Sequence, residues 1–198
     1  MSANLAQAGA YLVQMFLGLY VVTVLVRFLI QVSRADYYNP ICQAIVKVTD
    51  PAIKPLRPVL PTVRGVNFAT LFVAFAVQLF AVMLVMFLSG YPLFHPIYLA
   101  WVLVGLFSII LDIYFYALIV MVIASWIAPY SNHPAMTLIH QITEPICAPA
   151  RRLIPPMGGL DFSIILVFAA IYVIDNILVV APLAHQYLQI PRGLILGL

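Results

Sequence analysis

The chain has 198 residues, of which 65% are hydrophobic and only 8% charged, and its net charge is +3. A soluble domain usually carries about 25% charged residues, so this composition cannot cover a water-exposed surface. It predicts an all-α integral membrane protein. The small net charge and the lack of a dense basic run argue against a nucleic-acid partner.

Four apolar segments are long enough to cross a bilayer, whose core of about 30 Å takes about 20 helical residues. We predict spans at residues 10–30, 68–89, 108–128 and 162–182. Residues 97–127 are apolar throughout except for Asp112, and this stretch is too long for one upright span. Either it is one helix that tilts strongly or projects, or residues 97–107 form a separate short segment, which the repeat favours. We therefore interpret residues 91–107 as a periplasmic linker or a short extra apolar segment, with five membrane segments as the alternative. The apolar tail at residues 183–198 is either interfacial or disordered.

One stretch of the chain occurs twice. The sequence VTDPAIKPLRPVLPTVRGVNF at residues 48–68 returns as ITEPICAPARRLIPPMGGLDF at residues 142–162, an offset of 94. Upstream of this gap-free match, an offset of 98 pairs Arg27 with Ser125 and Gln14 with Asp112. We predict two repeats, at residues 1–90 and 108–182, each a helical hairpin joined by a polar, proline-rich connector.

Basic residues near span ends indicate which side of the membrane a loop faces. Both connectors are basic, and only Arg192 opposes them; the connector residues are Arg34, Lys47, Lys54, Arg57, Arg64, Arg151 and Arg152. Both connectors are therefore expected in the cytoplasm and the N-terminus in the periplasm. Two hairpins of the same orientation form a parallel repeat.

Each connector begins with a short amphipathic segment, predicted to lie in the membrane interface as a helix. Pro51 and Pro145 are expected to stop these helices, with Asp50 and Glu144 capping the turn that follows. Asn67 and Asp161 are predicted N-caps of the returning spans.

The basic residues of the connectors are the candidate binding residues. Basic side chains at the inner surface attract anionic lipid headgroups, and they could equally hold a membrane or cytoplasmic protein partner. The candidates for lipid or partner binding are Lys54, Arg57, Arg64, Arg151 and Arg152.

Ionisable residues inside a span are functional candidates by default. Asp112, Asp175 and Asn176 lie within the predicted third and fourth spans. They could be boundary or hydrogen-bonded groups, or part of an ion or proton path. Arg27 lies near the inner end of its span, where it can extend to the headgroups.

The sequence shows no catalytic motif and no convincing metal or cofactor site. His140 and Glu144 are four residues apart on a helix, but no third ligand is evident. Cys42 and Cys147 are isolated and are interpreted as free thiols. We expect no enzymatic activity, no metal and no cofactor.

The stretch RADYYNPICQAIVKVTDPAIKPLRPVLP, followed by TEPICAPARRLIPPMGGLDFS, resembles the YggT family of bacterial inner-membrane proteins over nearly the whole chain. The resemblance implies association with division, nucleoid or membrane-complex assembly, including cytochrome maturation. For two-repeat members it implies a link to osmotic tolerance and ion uptake. By similarity, the motif positions are Thr49, Asp50, Pro51, Arg57, Pro61, Thr143, Glu144, Pro145, Arg151, Arg152, Pro155, Gly159 and Asp161. Pro58 stands where the second copy has Arg152.

Together these observations favour a non-catalytic organiser or assembly factor of the inner membrane that binds anionic lipid or a protein partner through its connectors. The alternative is an oligomeric channel or transporter subunit. A homo-oligomer is compatible with both.

Overall fold

A computed structural model describes residues 2–63, 65–127, 133–154, 161–191 and 193–195, with side chains from residue 8 onward. It is helical apart from one small hairpin, formed by β1 (Thr62–Val63) and β2 (Val66–Asn67). The helices are α1 (Ser2–Val32), α2 (Pro40–Ile53), α3 (Phe68–Leu88), α4 (Ile97–Ile127), α5 (Pro134–Leu153) and α6 (Ser163–Tyr172). A 3₁₀ turn (Lys54–Leu56) follows α2, and π-helical segments (Val173–Leu178 and Pro182–Tyr187) extend α6.

Among the described residues, four helices are long and apolar enough to cross a membrane, which confirms the predicted fold class. They cover Ala8–Val32, Phe68–Leu88, Ile97–Ile127 and Ser163–Tyr187. The predicted break inside the third segment was wrong, because α4 is one continuous helix of 31 residues. Residues 97–107 are therefore neither a linker nor a separate segment. Their inward face packs into the same core as α1 and α3, with Tyr98, Trp101 and Val102 buried.

The two connectors lie at the same end of the bundle, as a parallel repeat requires. The Asn39 side chain on the first connector donates to the Pro134 carbonyl on the second at 2.7 Å. A small apolar cluster containing Leu29, Cys42 and Leu138 also joins the two. We call the pair α2 and α5 the connector platform.

The prolines do not end the connector helices, contrary to the sequence prediction. Pro51 lies inside α2, and Pro145 and Pro149 lie inside α5. Packing decides the outcome in α2: Thr49 before Pro51 and Ile53 after it are fully buried, and they hold this turn in helical geometry. Since Asp50 and Glu144 lie inside α2 and α5 and not at the start of a helix, these acids do not act as caps.

The other predicted caps are present. The Asn67 side chain accepts a hydrogen bond from the Ala69 amide at 2.9 Å, at the start of α3. Asp161 accepts one from the Ser163 amide at 3.1 Å, at the start of α6. Both side chains pair an amide that would otherwise be left without a partner at a helix start.

The C-terminal segment packs on the end of the bundle away from the connectors. Gln14 donates to the Gly193 carbonyl at 2.7 Å, and Trp101 donates to the Leu188 carbonyl at 3.0 Å. Leu194 and Ile195 are buried in the core of the first hairpin. The described part of the tail thus packs against the helices of the bundle.

Candidate functional site

The first connector carries a cluster of charges centred on Asp50. Arg27 Nη2 lies 2.8 Å from Asp50 Oδ1, Lys54 Nζ lies 3.1 Å from Oδ2, and Arg57 Nη2 lies 3.2 Å from Oδ1. Thr49 completes this Asp50 cluster, since its Oγ1 accepts from Arg27 at 2.7 Å and donates to the Ile45 carbonyl. Three cations surround one carboxylate, which leaves a formal surplus of two positive charges.

Arg27 does not extend to the headgroups as predicted. Its side chain is only 2% exposed, and it holds α1 to α2 through Thr49, Asp50 and the Val46 carbonyl. A buried cation needs a partner, because an uncompensated charge in an apolar interior is costly. No described residue accepts a hydrogen bond from its Nε.

The pKa of Asp50 reflects two opposing effects. Burial raises the pKa of this carboxyl, but the hydrogen bonds and charges of Arg27 and Lys54 outweigh burial and hold the pKa below its ordinary value. Asp50 is therefore ionised at neutral pH, and its charge is satisfied within the protein. Lys54 and Arg57, with side chains 66% and 41% exposed, remain accessible.

The second connector carries a related but smaller cluster around Arg151. Its Nη1 lies 2.6 Å from Glu144 Oε2, and its Nε lies 2.8 Å from Asp161 Oδ2. Asp161 also accepts from the Ser163 hydroxyl. Two carboxylates surround one cation, so this Arg151 cluster has a formal surplus of one negative charge.

The same opposing effects act on Asp161. Burial raises the pKa of Asp161, but the hydrogen bonds from Ser163 and Arg151 prevail and lower it. The pKa of Arg151 is raised, chiefly by its hydrogen bond to Asp161. Arg151 thus fastens the end of α5 to the start of α6.

The two clusters correspond through the offset of 94. The pair Asp50–Arg57 in the first repeat matches Glu144–Arg151 in the second. Sequence reasoning missed the partner of Arg27, because it used an offset of 98 upstream. At 94 the partner is Met121, and the structure agrees: Thr49 contacts Arg27, while Thr143 Oγ1 lies 3.7 Å from Met121 Sδ.

The predicted binding residues therefore divide into two groups. Lys54, Arg57 and Arg151 make ion pairs with the acids of the motif. Arg152 is exposed, and among the described residues it makes no ion pair. Arg64, Pro155 and Gly159 lie outside the described residues.

The remaining motif positions have structural roles. Thr49 and Thr143 are buried, and each hydroxyl donates to the carbonyl four residues earlier. The Pro61 carbonyl accepts from the Phe68 amide at 3.4 Å, which closes the turn into α3. Pro51 and Pro145 lie within the connector helices.

The polar residues of the spans form a second, separate group. Asp112 on α4 is close enough to Asp175 for the two carboxylates to repel each other. Asn176 donates to Asp175 Oδ2 at 3.2 Å, and no described residue donates to the buried Oδ1. The structure thus brings together the acids that the sequence placed in different spans.

Among the described residues, no three His, Cys, Asp or Glu side chains are grouped in a way that could hold a metal ion. Within the same described ranges, Cys42 and Cys147 are free and buried.

The fold and these clusters define a multi-pass membrane protein built from two parallel hairpin repeats with a joined connector platform. The sequence model of the CCB3/YggT family matches residues 6–88 and again residues 100–182, so the chain belongs to this family. The second match begins 94 residues after the first, the same offset as that of the repeated stretch. It starts at residue 100, ahead of the predicted repeat boundary at residue 108.

Relatives cover most of the chain. An uncharacterized protein of Pseudomonas aeruginosa is 41% identical over 178 residues, which is 89% of this chain and 90% of the relative. A protein of Vibrio alginolyticus is 37% identical, over 80% of this chain and 86% of its own length. Uncharacterized protein YggT of Escherichia coli K12 is 36% identical, over 83% of this chain and 86% of its own length. No solved structure matches the chain significantly.

Proposed function

We propose that the protein is a non-catalytic organiser or assembly factor of the bacterial inner membrane, whose connector platform binds anionic lipid and a protein partner. The observation that carries the proposal is the joining of α2 and α5 into one surface. Besides the Asn39–Pro134 hydrogen bond, the Asp36 amide donates to the Gln141 side chain at 3.0 Å. Two separate loops would not need such bonds.

The charge distribution supports a cytoplasmic platform. Arg57, Lys54 and Arg152 are exposed at this end of the bundle. Positive residues near span ends remain on the cytoplasmic side, and they attract the anionic headgroups there. Reporter fusions test this orientation: a fusion at Asp36 is expected in the cytoplasm and one at Phe94 in the periplasm.

Exposed aromatic and aliphatic side chains on the platform support a partner surface. Tyr38, two residues ahead of α2, is 88% exposed, and Leu153, the last residue of α5, is 74% exposed. Tyrosine suits both interfaces and headgroup regions, because it combines an apolar ring with a polar tip.

In vivo crosslinking tests the partner. A photo-crosslinking amino acid at Tyr38 is expected to capture a defined protein, whereas the same label at Phe94 on the opposite end is not. Arg152→Gln should reduce the capture, and it removes no ion pair seen among the described residues. Equal capture from both ends of the bundle would reject the platform as the binding surface.

A second candidate is a channel or transporter subunit, which the proximity of Asp112 and Asp175 favours. Two acids in separate membrane-spanning helices, near enough for their charges to interact, suit a proton or cation path. Ion flux through purified protein in liposomes, lost on Asp112→Asn and on Asp175→Asn, would support it. Absence of flux in the unmodified protein would remove it.

A further inference from the structure

An apolar groove lies between α3 and α4, open toward the surrounding lipid. Its volume is about 450 Å³. It is lined only by apolar side chains, among them Leu60, Phe68, Phe72, Leu103, Phe107 and Ile110. On each helix the lining residues recur at helical spacing, so each helix contributes one continuous face.

The groove begins at the connector. Phe68 is the first residue of α3, and Leu60 comes from the connector itself. From Phe68 to Phe75 the α3 wall extends about 10 Å into the membrane, at about 1.5 Å per residue. The opposite wall follows α4 over the same depth. The groove therefore starts at the headgroup level and runs along the direction of an acyl chain.

The connector residue that lines the groove, Leu60, comes one turn after the accessible cations of the Asp50 cluster in the chain. Leu60 follows Arg57 by three residues, and its amide donates to the Leu56 carbonyl at 3.0 Å, so a compact turn joins them. Asp50 neutralises only one of the three cations around it, and Lys54 and Arg57 are the two with exposed side chains.

The apolar groove and the exposed cations of the connector that lines it favour a ligand that combines a hydrocarbon chain with an anionic group. A wall without polar groups favours hydrocarbon, and a cluster whose exposed Lys and Arg leave a surplus of positive charge favours a phosphate. We propose that this is a site for an anionic glycerophospholipid, with its phosphate on Lys54 and Arg57 and one acyl chain in the groove between α3 and α4. The site deepens the proposed function and rests on it, because it assigns the lipid part of that function to the first repeat.

The second repeat offers a contrast inside the same protein. Ala148 stands where the first repeat has Lys54, and Met121 stands where it has Arg27. The Arg151 cluster has a surplus of one negative charge, which offsets the charge of the neighbouring Arg152, so no surplus of positive charge remains there. The phosphate is therefore expected at the first connector and not at the second.

Purified full-length protein in nanodiscs of equal phosphatidylglycerol and phosphatidylcholine tests the site. Two photoactivatable lipids, one with each headgroup and both with the reactive group on the acyl chain, are compared. Phosphatidylglycerol is expected to label α3 and α4 about tenfold more than phosphatidylcholine, since each basic residue contributes to anionic lipid binding. Labelling should be concentrated at the groove.

Matched variants separate headgroup from chain. The double variant Lys54→Gln and Arg57→Gln should abolish the headgroup preference, whereas Lys47→Gln, a nearby exposed lysine, should leave it intact. Leu103→Trp should exclude the acyl chain from the groove and lower labelling there. Val120→Trp, at an exposed position of α4 outside the groove, should not.

Equal labelling by both lipids, or labelling spread evenly around the bundle, would overturn the site. So would inorganic phosphate that competed with phosphatidylglycerol as effectively as the lipid itself, because it would show a phosphate site without an acyl chain. Crosslinking of a protein partner from Tyr38 is expected to survive Leu103→Trp. If the label at Tyr38 captured no partner even without the Leu103→Trp substitution, the partner part of the proposed function would be rejected instead.

Discussion

Arg27 on α1 and Asp50 on α2 form an ion pair at 2.8 Å, in which the Arg27 side chain is buried, at 2% exposed, and the Asp50 side chain is 17% exposed. Their pairing explains why a motif acid follows Thr49 in the first connector. The acid holds the connector helix against the membrane span. The same carboxylate also forms ion pairs with Lys54 and Arg57 and so orders them at the surface.

Removing Asp50 alone should be severe. Asp50→Ala leaves Arg27 buried without its carboxylate, and we expect a loss of about 3 kcal/mol or more in the free energy of unfolding. The double variant Arg27→Met and Asp50→Ala should lose less than Asp50→Ala alone, because it removes the uncompensated charge. Unfolding in mixed detergent micelles measures the stability of both variants. A double variant that lost as much stability as Asp50→Ala, or more, would contradict the pairing of Arg27 with Asp50.

The ion pairs that Asp50 and Asp161 form with arginine should make the stability of the protein dependent on pH. The folded-state pKa values of Asp50 and Asp161 are lowered, so their contribution is fully present above the unfolded value of about 4. It is lost as the pH falls below that value through the folded pKa. We expect the unfolding midpoint to fall between pH 5 and about pH 3, and to fall less in Asp161→Asn. An equal decrease in that variant would contradict the role of Asp161.

The connection between the repeats should depend on Asn39. Its side chain accepts from the Ile41 amide at 2.9 Å and donates to the Pro134 carbonyl. Asn39→Ala loses both a helix cap and the inter-repeat bond, for an expected cost of about 1–2 kcal/mol. Gln141→Ala removes only the bond to the Asp36 amide and should cost less. The same unfolding assay ranks the two, and a reversed order would contradict this assignment.

The position of the C-terminal segment should depend on Gly105. A Cβ at this residue would lie 2.6 Å from Ile195 Cγ2, too close for any real contact. In Gly105→Ala we expect the tail to lift, because its side chains move more easily than the backbone of α4. The emission of Trp101, measured in a Trp126→Phe background, should shift as its bond to the Leu188 carbonyl weakens. Adding Ile195→Ala should restore the emission, and failure to do so would contradict this packing.

Much of the fold could be predicted from local pattern. The four spans follow from uninterrupted apolar runs, and the caps Asn67 and Asp161 follow from polar residues just ahead of them. The continuous α4 could not be predicted in this way. Local pattern shows that the segment is longer than an upright span, but only its packing against the other helices decides whether it stays one helix. Nor could the helical prolines, since burial of Thr49 and Ile53 overrides the local tendency of Pro51 to end a helix.

The candidate site shows the same division. The sequence identified the basic residues Lys54, Arg57 and Arg151 and the acids near them, but it could not tell which would pair. Arg27 lies 23 residues before Asp50, and no periodicity joins them; only the packing of α1 on α2 does.

By itself the sequence determined that this chain enters a membrane, that it does so as two related hairpins, and which residue types border each span. The apolar composition of each segment decides whether the segment must be removed from water, and the repetition of the sequence decides that the two halves are related. Only the tertiary structure decided which charges are buried and paired and which remain accessible at the surface. That outcome depends on distances of a few ångströms between helices far apart in the chain, and it separates the buried Arg27 from the accessible Lys54 and Arg57.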